Sequence, residues 1–118
     1  MPQAPGAARA IGYFSLGVAA VAWLAPGPIA HVMGYGERPG LVRALGTRDL
    51  VVGLGLITAE RVAPWLRARL ACEVADVLLH TAGALNGAFA RKRAVAIAVG
   101  AAAFGVLDYA LLREAERP

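Results

Sequence analysis

The sequence has few of the residues that an ordinary soluble or secreted domain needs. Only 17% of its 118 residues are charged, whereas soluble domains average about 25%. It has one cysteine, Cys72, so an internal disulfide is excluded. It also has a single lysine, Lys92, among 12 basic residues. The scarcity of charge argues against both a disordered chain and a typical water-soluble fold.

Hydrophobic residues are what the sequence has in excess, at 58% of the chain. A small domain has a large surface for its volume, and in water that surface must be covered by polar residues. We therefore predict one domain over residues 1–118 with most of its surface in lipid. A very apolar soluble helix bundle is the alternative. The richness in Ala, Gly, Val and Arg is typical of a GC-rich bacterial genome, and we expect a multi-pass protein of a bacterial inner membrane.

The layout of the basic residues argues against nucleic acid as a partner. The formal net charge is +4, but the basic residues lie at the ends of apolar runs and not along one face with aromatics between them. Flanking charge of this kind holds membrane spans at the lipid headgroups, and Trp23, Tyr35 and His31 fit the interfacial belt. The predicted partner is the lipid bilayer. The two sides carry nearly equal positive charge, and we place both termini on the cytoplasmic side.

Four apolar segments predict four helices, at about residues 10–25, 41–59, 65–90 and 94–112. Each is long enough to cross a hydrocarbon layer of ~30 Å. Pro26-Gly27-Pro28 ends the first segment, and Pro64 suits the first turn of the third. Short connections force neighbouring helices to run in opposite directions. The predicted fold is all-α, an antiparallel four-helix transmembrane bundle.

Charged residues interrupt the last three segments. A charge at bilayer depth costs at least ~2.5–3.5 kcal/mol, so these side chains should face one another or a wet cavity inside the bundle. Helical geometry supports a shared site, because positions 73, 76 and 80 fall on one face of the third helix. The candidate site residues are Arg48, Asp49, Glu73, Asp76, His80 and Asp108, with Arg43 as a further charge at the start of the second helix.

Carboxyl groups outnumber arginines in this set, so one of them should keep its proton in a medium of low dielectric constant. A protonated acid beside a base can protonate an alkene or epoxide. In this interpretation Asp76 is the acid, and Glu73 or Asp49 is its partner. His80 shuttles the proton and Arg48 orients the carboxylates. Asp108 closes the site from the fourth helix.

Two classes of function follow from this pattern, and the sequence leaves open whether the protein is an enzyme. The first is an intramembrane acid–base enzyme, a cofactor-independent isomerase, cyclase or epoxide-opening enzyme. It acts on a hydrophobic small-molecule ligand such as a terpenoid or polyketide. The second is a non-catalytic membrane protein, such as a carrier subunit or a partner in a membrane complex. In that class Arg48 pairs with Asp76 or Asp49 only to lock helix packing. Glycines on the first and fourth helices would allow a homodimer.

A metal site is weakly indicated. Glu73, Asp76 and His80 offer two oxygen ligands and one nitrogen ligand on a single face. The familiar di-metal bundles instead use Glu-x-x-His supplied by two helices, and this sequence has no second copy. We therefore predict no metal and no cofactor.

Two motifs resemble a known family. Gly46-Thr47-Arg48-Asp49, with Gly53 following, fits Gly-x-Arg-acidic-x3-Gly. The segment 65–76 fits Arg-x2-Gly-Asp-x2-Asp, with Cys72-Glu73 where Gly-Asp is usual. Both motifs resemble small four-helix DoxX-like integral membrane proteins of unknown function, some of them named for neighbouring cyclase/dehydrase-type genes. The resemblance covers about residues 40–80 and implies the four-span fold more than any activity.

Overall fold

The computed structural model describes residues 4–117, so residues 1–3 and 118 of the predicted domain lie outside the described range. The described chain is all-helical and contains no strand, which confirms the predicted all-α class. Its helices are α1 (Ala4–Leu24), α2 (Pro26–Val32), α3 (Pro39–Thr58), α4 (Ala63–Leu85) and α5 (Arg91–Ala115).

The predicted helix boundaries need three corrections. The connection 26–40 contains the short helix α2, because Pro26 ends α1 and then takes a first-turn position, where proline is favoured. Helix α4 ends at Leu85 and does not reach residue 90, because Gly87 has a φ of +78° and the Asn86 side chain accepts the Ala88 amide at 2.8 Å. Helix α1 begins before its predicted start and α5 extends at both ends, since a charged residue ends an apolar run without ending the helix.

Helix α1 packs closely along α3. Near the start of α1, Arg9 Nη2 donates to the Ala59 carbonyl oxygen at 3.5 Å. Near its end, Trp23 Nε1 donates to Thr47 Oγ1 at 3.2 Å. Between these contacts the backbones approach so closely that a Cβ on Gly53 would lie 2.9 Å from the Gly12 carbonyl oxygen. Small residues allow this separation.

Helix α4 packs in the same way along α5, and it contacts α3 much less than it contacts α5. Arg67 near the start of α4 pairs with Glu116, just after the end of α5. Near the end of α4, a Cβ on Gly83 would collide with the Phe89 ring in the turn before α5. The molecule therefore consists of two helix pairs, α1–α3 and α4–α5, with space between them.

Two helices, α1 over Gly6–Leu24 and α5 over Arg91–Ala115, are long and apolar enough to cross a membrane. Both expose large hydrophobic side chains, including Phe14 at 54% and Val106 at 71%. The other two long helices carry charged residues nearer their middles: Arg48 and Asp49 on α3, and Arg69, Glu73 and Asp76 on α4. Of the charged residues of α5, only Asp108 lies away from the helix ends. The mid-helix charges of α3 and α4 line the space between the pairs.

Candidate functional site

A cavity of about 260 Å³ lies between the two helix pairs. Apolar and small residues of α1 and α5 form part of its wall, among them Phe14, Ile97 and Gly100. Charged side chains of α3 and α4 form the rest: Arg48, Asp49, Arg69, Glu73 and Asp76. A second cavity of about 110 Å³ adds Tyr35 and His80 to the α3–α4 part of this group. Six ionisable side chains of α3 and α4 thus line the space between the helix pairs, whereas Arg43 and Arg67 are exposed.

Arg48 and Asp76 form a two-point ion pair between α3 and α4. Arg48 Nη1 donates to Asp76 Oδ1 at 2.7 Å, and Nη2 donates to Oδ2 at 2.9 Å. Nη2 also donates to Asp49 Oδ1 at 3.3 Å. A guanidinium facing both carboxylate oxygens is the strongest form of this interaction. The arrangement suits an ionised Asp76 with both oxygens engaged.

Arg69 connects three helices from a buried position, with 6% of its surface exposed. It donates through Nη1 to Ser15 Oγ on α1. Its Nη2 lies 3.3 Å from Glu73 Oε1, and its Nε lies 3.5 Å from Asp108 Oδ2 on α5. The guanidinium carbon also lies 5.4 Å from the centre of the Phe104 ring, within cation–π range.

Asp108 is the most deeply buried carboxyl group of the site, with no exposed surface. Within residues 4–117, neither of its oxygens accepts a hydrogen bond, although Arg69 is close by. The whole cluster contains four carboxyl groups and two guanidinium groups: Asp49, Glu73, Asp76 and Asp108, with Arg48 and Arg69. The cluster therefore holds two more carboxyl groups than guanidinium groups.

Tyr35 and His80 form a buried pair beside the Arg48–Asp76 ion pair. Tyr35 Oη lies 2.5 Å from His80 Nε2, and His80 Nδ1 lies 2.7 Å from the Asp76 carbonyl oxygen. Because a carbonyl oxygen can only accept, Nδ1 carries the ring proton and Nε2 accepts from the tyrosine hydroxyl. Burial, with the nearby Asp76 charge, raises the pKa of Tyr35 to about 12. Tyr35 is therefore a stable donor at neutral pH.

The loops at this end of the molecule hold the Tyr35–His80 pair in place. Arg38 Nη1 donates to the Tyr35 carbonyl oxygen at 2.8 Å and to the Ala88 carbonyl oxygen at 2.9 Å. The Phe89 ring lies 4.9 Å from the Tyr35 ring and 5.7 Å from the His80 ring, centre to centre. The expected interfacial position of Tyr35 is wrong, because the α2–α3 connection folds inward and leaves this residue 1% exposed.

The six residues predicted for the site come close together in space. Arg48, Asp49, Glu73 and Asp76 line the larger cavity, His80 lines the adjoining one, and Asp108 lies behind Arg69.

Sequence reasoning missed Arg69, Tyr35 and Ser15. Arg69 had a usable signal, since it precedes Glu73 by four positions on one helix face. Its place near the start of an apolar run instead suggested a headgroup anchor. Tyr35 lies in a connection and Ser15 is a single polar residue in an apolar helix, so neither had a periodic signal.

Residues that could ligate a metal do not gather into one set. Among the described residues, no group of three or more His, Cys, Asp or Glu side chains is placed to hold a metal ion. Both ring nitrogens of His80 are engaged by Tyr35 and by a backbone carbonyl. Cys72 is a partly buried free thiol.

Comparison of the chain with protein-family models, with curated proteins and with solved structures finds no match.

Proposed function

We propose that the chain is an antiparallel four-helix transmembrane bundle of a bacterial inner membrane, with acid–base chemistry in its interior. The contacts within α1–α3 and α4–α5 support opposite helix directions, since early residues of one helix meet late residues of the other. The apolar outer faces of α1 and α5 support burial in lipid. The resemblance to DoxX-like proteins implies the same fold.

The observation that carries the functional proposal is the cavity of about 260 Å³ with charged side chains on its wall. Its apolar lining suits a lipophilic small molecule, and its carboxyl groups can exchange protons with that molecule. Access from the bilayer suits a terpenoid-like or polyketide-like substrate. The reaction is an isomerisation, a cyclisation or the opening of an epoxide.

Glu73 is the group that we assign to proton exchange. Asp76 is less suited to the acid role that the sequence suggested, because Arg48 occupies both of its oxygens. Asp108 lies behind Arg69, away from the cavity wall. Glu73 lines the central cavity and also borders a groove on the outer surface of α4 and α5, so a ligand in either place can reach it.

His80 is better suited to positioning than to proton transfer. Its Nδ1–H ends on the Asp76 carbonyl oxygen, which cannot pass a proton onward. Its Nε2 is held by Tyr35. We assign His80 to fixing the α4 backbone at Asp76, and we assign Arg48 to orienting the Asp76 carboxylate through two hydrogen bonds.

The simplest reaction for this site is the migration of a double bond. Glu73 donates its proton to one alkene carbon, where the π electrons form the new C–H bond and leave a positive charge on the second alkene carbon. A carboxylate of the cluster then removes a proton from the next carbon along the chain, whose C–H electrons form the new double bond to the positively charged carbon. That proton passes back to Glu73 before the next turnover. The product is an isomer of the substrate, and the chemistry requires neither an oxidant nor a cofactor.

Solvent deuterium tests this proposal without knowledge of the substrate. The purified protein would be incubated with a lipophilic extract of its host membrane in deuterium oxide, and the extract analysed by mass spectrometry. We expect at least one lipophilic species to gain deuterium at carbon, Glu73→Gln to abolish the gain, and Glu60→Gln in the exposed α3–α4 connection to preserve it. If no species gains more deuterium than with Glu73→Gln, the proposed protonation of an alkene by Glu73 fails.

A non-catalytic membrane protein is the second candidate. The contacts that Arg48 and Arg69 make between helices favour it. Arg69 ties together α1, α4 and α5, and Arg48 ties α3 to α4, as residues that lock helix packing would. This candidate predicts that Glu73→Gln lowers thermal stability while no deuterium enters any lipid. A carrier would in addition show proton-dependent flux in liposomes.

A further inference from the structure

The outer seam between α4 and α5 contains a long apolar groove. It consists of two cavities of about 410 Å³ and 500 Å³. Val77 and Ala102 line both, so the two cavities adjoin along the seam. Each is in the size range of small-molecule sites, roughly 300–1,000 Å³. Valine, leucine and alanine side chains form most of the lining.

The charged residues of the groove lie far apart along it. Arg91, the first residue of α5, lines one end and is exposed. Glu73 lines the other part, opposite Gly105, where a Cβ would lie 3.6 Å from the Glu73 Cβ. Positions 91 and 105 are separated by about 21 Å along the helix axis at 1.5 Å per residue.

We infer that this groove binds one long-chain anionic amphiphile, with its headgroup at Arg91 and its hydrocarbon chain along the seam to Glu73. The positive charge of Arg91 at one end of the groove is complementary to the headgroup of such a molecule, and the apolar lining is complementary to its chain. Lys92 adds a second positive charge beside Arg91. One leaflet is about 15 Å deep, half of a ~30 Å hydrocarbon core. A chain that reaches Glu73 therefore passes the midplane, which favours a polyisoprenyl phosphate over an ordinary phospholipid.

The inference rests on the membrane-spanning arrangement proposed above, but not on any proton transfer at Glu73. Binding is therefore measured without turnover. Native mass spectrometry of the purified protein in detergent would compare undecaprenyl phosphate, undecaprenol and farnesyl phosphate. We expect one bound undecaprenyl phosphate per chain, and at least about tenfold weaker binding of the other two, which lack the charge or the length.

Two adjacent alanines provide a matched pair of variants. Ala102→Trp fills the point where the two cavities join, whereas Ala103→Trp adds the same ring to an exposed position outside the groove lining. We expect Ala102→Trp to abolish binding and Ala103→Trp to preserve it. Arg91→Gln, at an exposed helix end, should reduce the affinity for undecaprenyl phosphate to that for undecaprenol.

Three outcomes would overturn the inference. Equal binding of all three lipids would indicate ordinary boundary lipid. Unchanged binding in both Ala102→Trp and Arg91→Gln would place the ligand elsewhere. Efficient disulfide crosslinking of Ala102→Cys between two chains, in a Cys72→Ser background, would show that a second copy covers the groove. If the wild-type protein binds undecaprenyl phosphate but no lipid gains deuterium in the experiment above, only the enzymatic proposal is refuted.

Discussion

The charged side chains of the interior are partnered in two different ways. Arg48 makes a two-point pair with one carboxylate, whereas Arg69 is shared among a hydroxyl and two carboxyl groups. A buried ion pair adds little net stability relative to apolar residues, but removing one partner leaves the other charge poorly solvated. Removing Arg48 or Arg69 should therefore lower the free energy of unfolding more than removing a surface arginine does.

Arg48→Met tests this directly. It leaves the Asp76 carboxylate without its guanidinium. Because the two side chains are 26% and 15% exposed, we expect the free energy of unfolding to fall by ~2 kcal/mol, less than the ~3–5 kcal/mol for a fully buried pair. The double variant Arg48→Met/Asp76→Leu should recover most of the loss. Thermal and denaturant unfolding in one detergent would measure both.

Arg43→Met is the matched control on the same helix. The Arg43 guanidinium is exposed and lies 5.5 Å from the centre of the Trp23 ring, an interaction of ~0.5–1 kcal/mol at such a site. Equal destabilisation by Arg48→Met and Arg43→Met would contradict an interior role for the Arg48–Asp76 pair.

Tyr35 gives the fold a dependence on alkaline pH. Its folded-state pKa is about 12, against an ordinary value near 10. Below pH ~10 the hydroxyl is protonated in both states. Between pH ~10 and ~12 only the unfolded chain releases the proton, so the free energy of unfolding falls as pH rises. Tyr35→Phe should lose this component of the pH dependence.

The difference in tyrosinate absorbance between the wild-type protein and Tyr35→Phe isolates this one hydroxyl. We expect its midpoint near pH 12. A midpoint near pH ~10, the ordinary tyrosine value, would mean that Tyr35 is solvated and does not donate to His80.

At the residue scale, the site residues that could be predicted were those whose charge is energetically unfavourable to bury. Arg48, Asp49, Glu73, Asp76 and Asp108 stand out because each interrupts an apolar run. The hydrogen-bond and ion-pair partners of the site residues were harder to predict, because they depend on which distant segments of the chain come together. The Tyr35–His80 contact spans 45 positions, and its formation requires the α2–α3 connection to fold inward.

At the scale of the helices, glycine determines how closely α1 can approach α3. A Cβ on Gly12 would lie 2.7 Å from Ile57 Cγ2 and 3.0 Å from the Gly53 carbonyl oxygen. A Cβ on Gly17 of the same helix would meet nothing within 4 Å. The same substitution at these two positions therefore places a methyl group in a close helix contact at Gly12 and in open space at Gly17.

Gly12→Ala and Gly17→Ala should change stability in opposite directions. Alanine is favoured over glycine in a helix by ~0.5–1 kcal/mol, so Gly17→Ala should be neutral or stabilising. Gly12→Ala should lose ~1–3 kcal/mol, because the added methyl overpacks the contact with α3. Melting temperatures measured in one detergent decide this. The same shift for both variants would argue against close α1–α3 packing.

The four long helices could be predicted from the sequence, because each is a predominantly apolar segment of helical length bounded by proline, glycine or charged residues. Helix α2 could not, because its seven residues resemble a helix stop as much as a helix start. The end of α4 depends on Gly87 adopting a positive φ. That conformation is available to any glycine, and the local sequence does not require it.

At the scale of the whole molecule, the arrangement of the helices in pairs determines where the interior charges lie. Helices α1 and α5 are apolar enough to cross a membrane. Helices α3 and α4 carry most of the mid-helix charges, and these are paired with one another and with Asp108 of α5. Paired charges lower the cost of placing α3 and α4 in lipid. This pairing is the basis of the proposed four crossings, whereas length and hydropathy alone support two.

The sidedness of the α3–α4 connection tests that central claim most directly. In a Cys72→Ser background, single cysteines at Glu37, Glu60 and Lys92 would be labelled with a membrane-impermeant maleimide in right-side-out and inverted vesicles. Four crossings predict that Glu60→Cys reacts from the cytoplasmic side and that Glu37→Cys and Lys92→Cys react from the opposite side. If all three react from the same side, only α1 and α5 cross the membrane, and the buried acid–base site has no place in the bilayer.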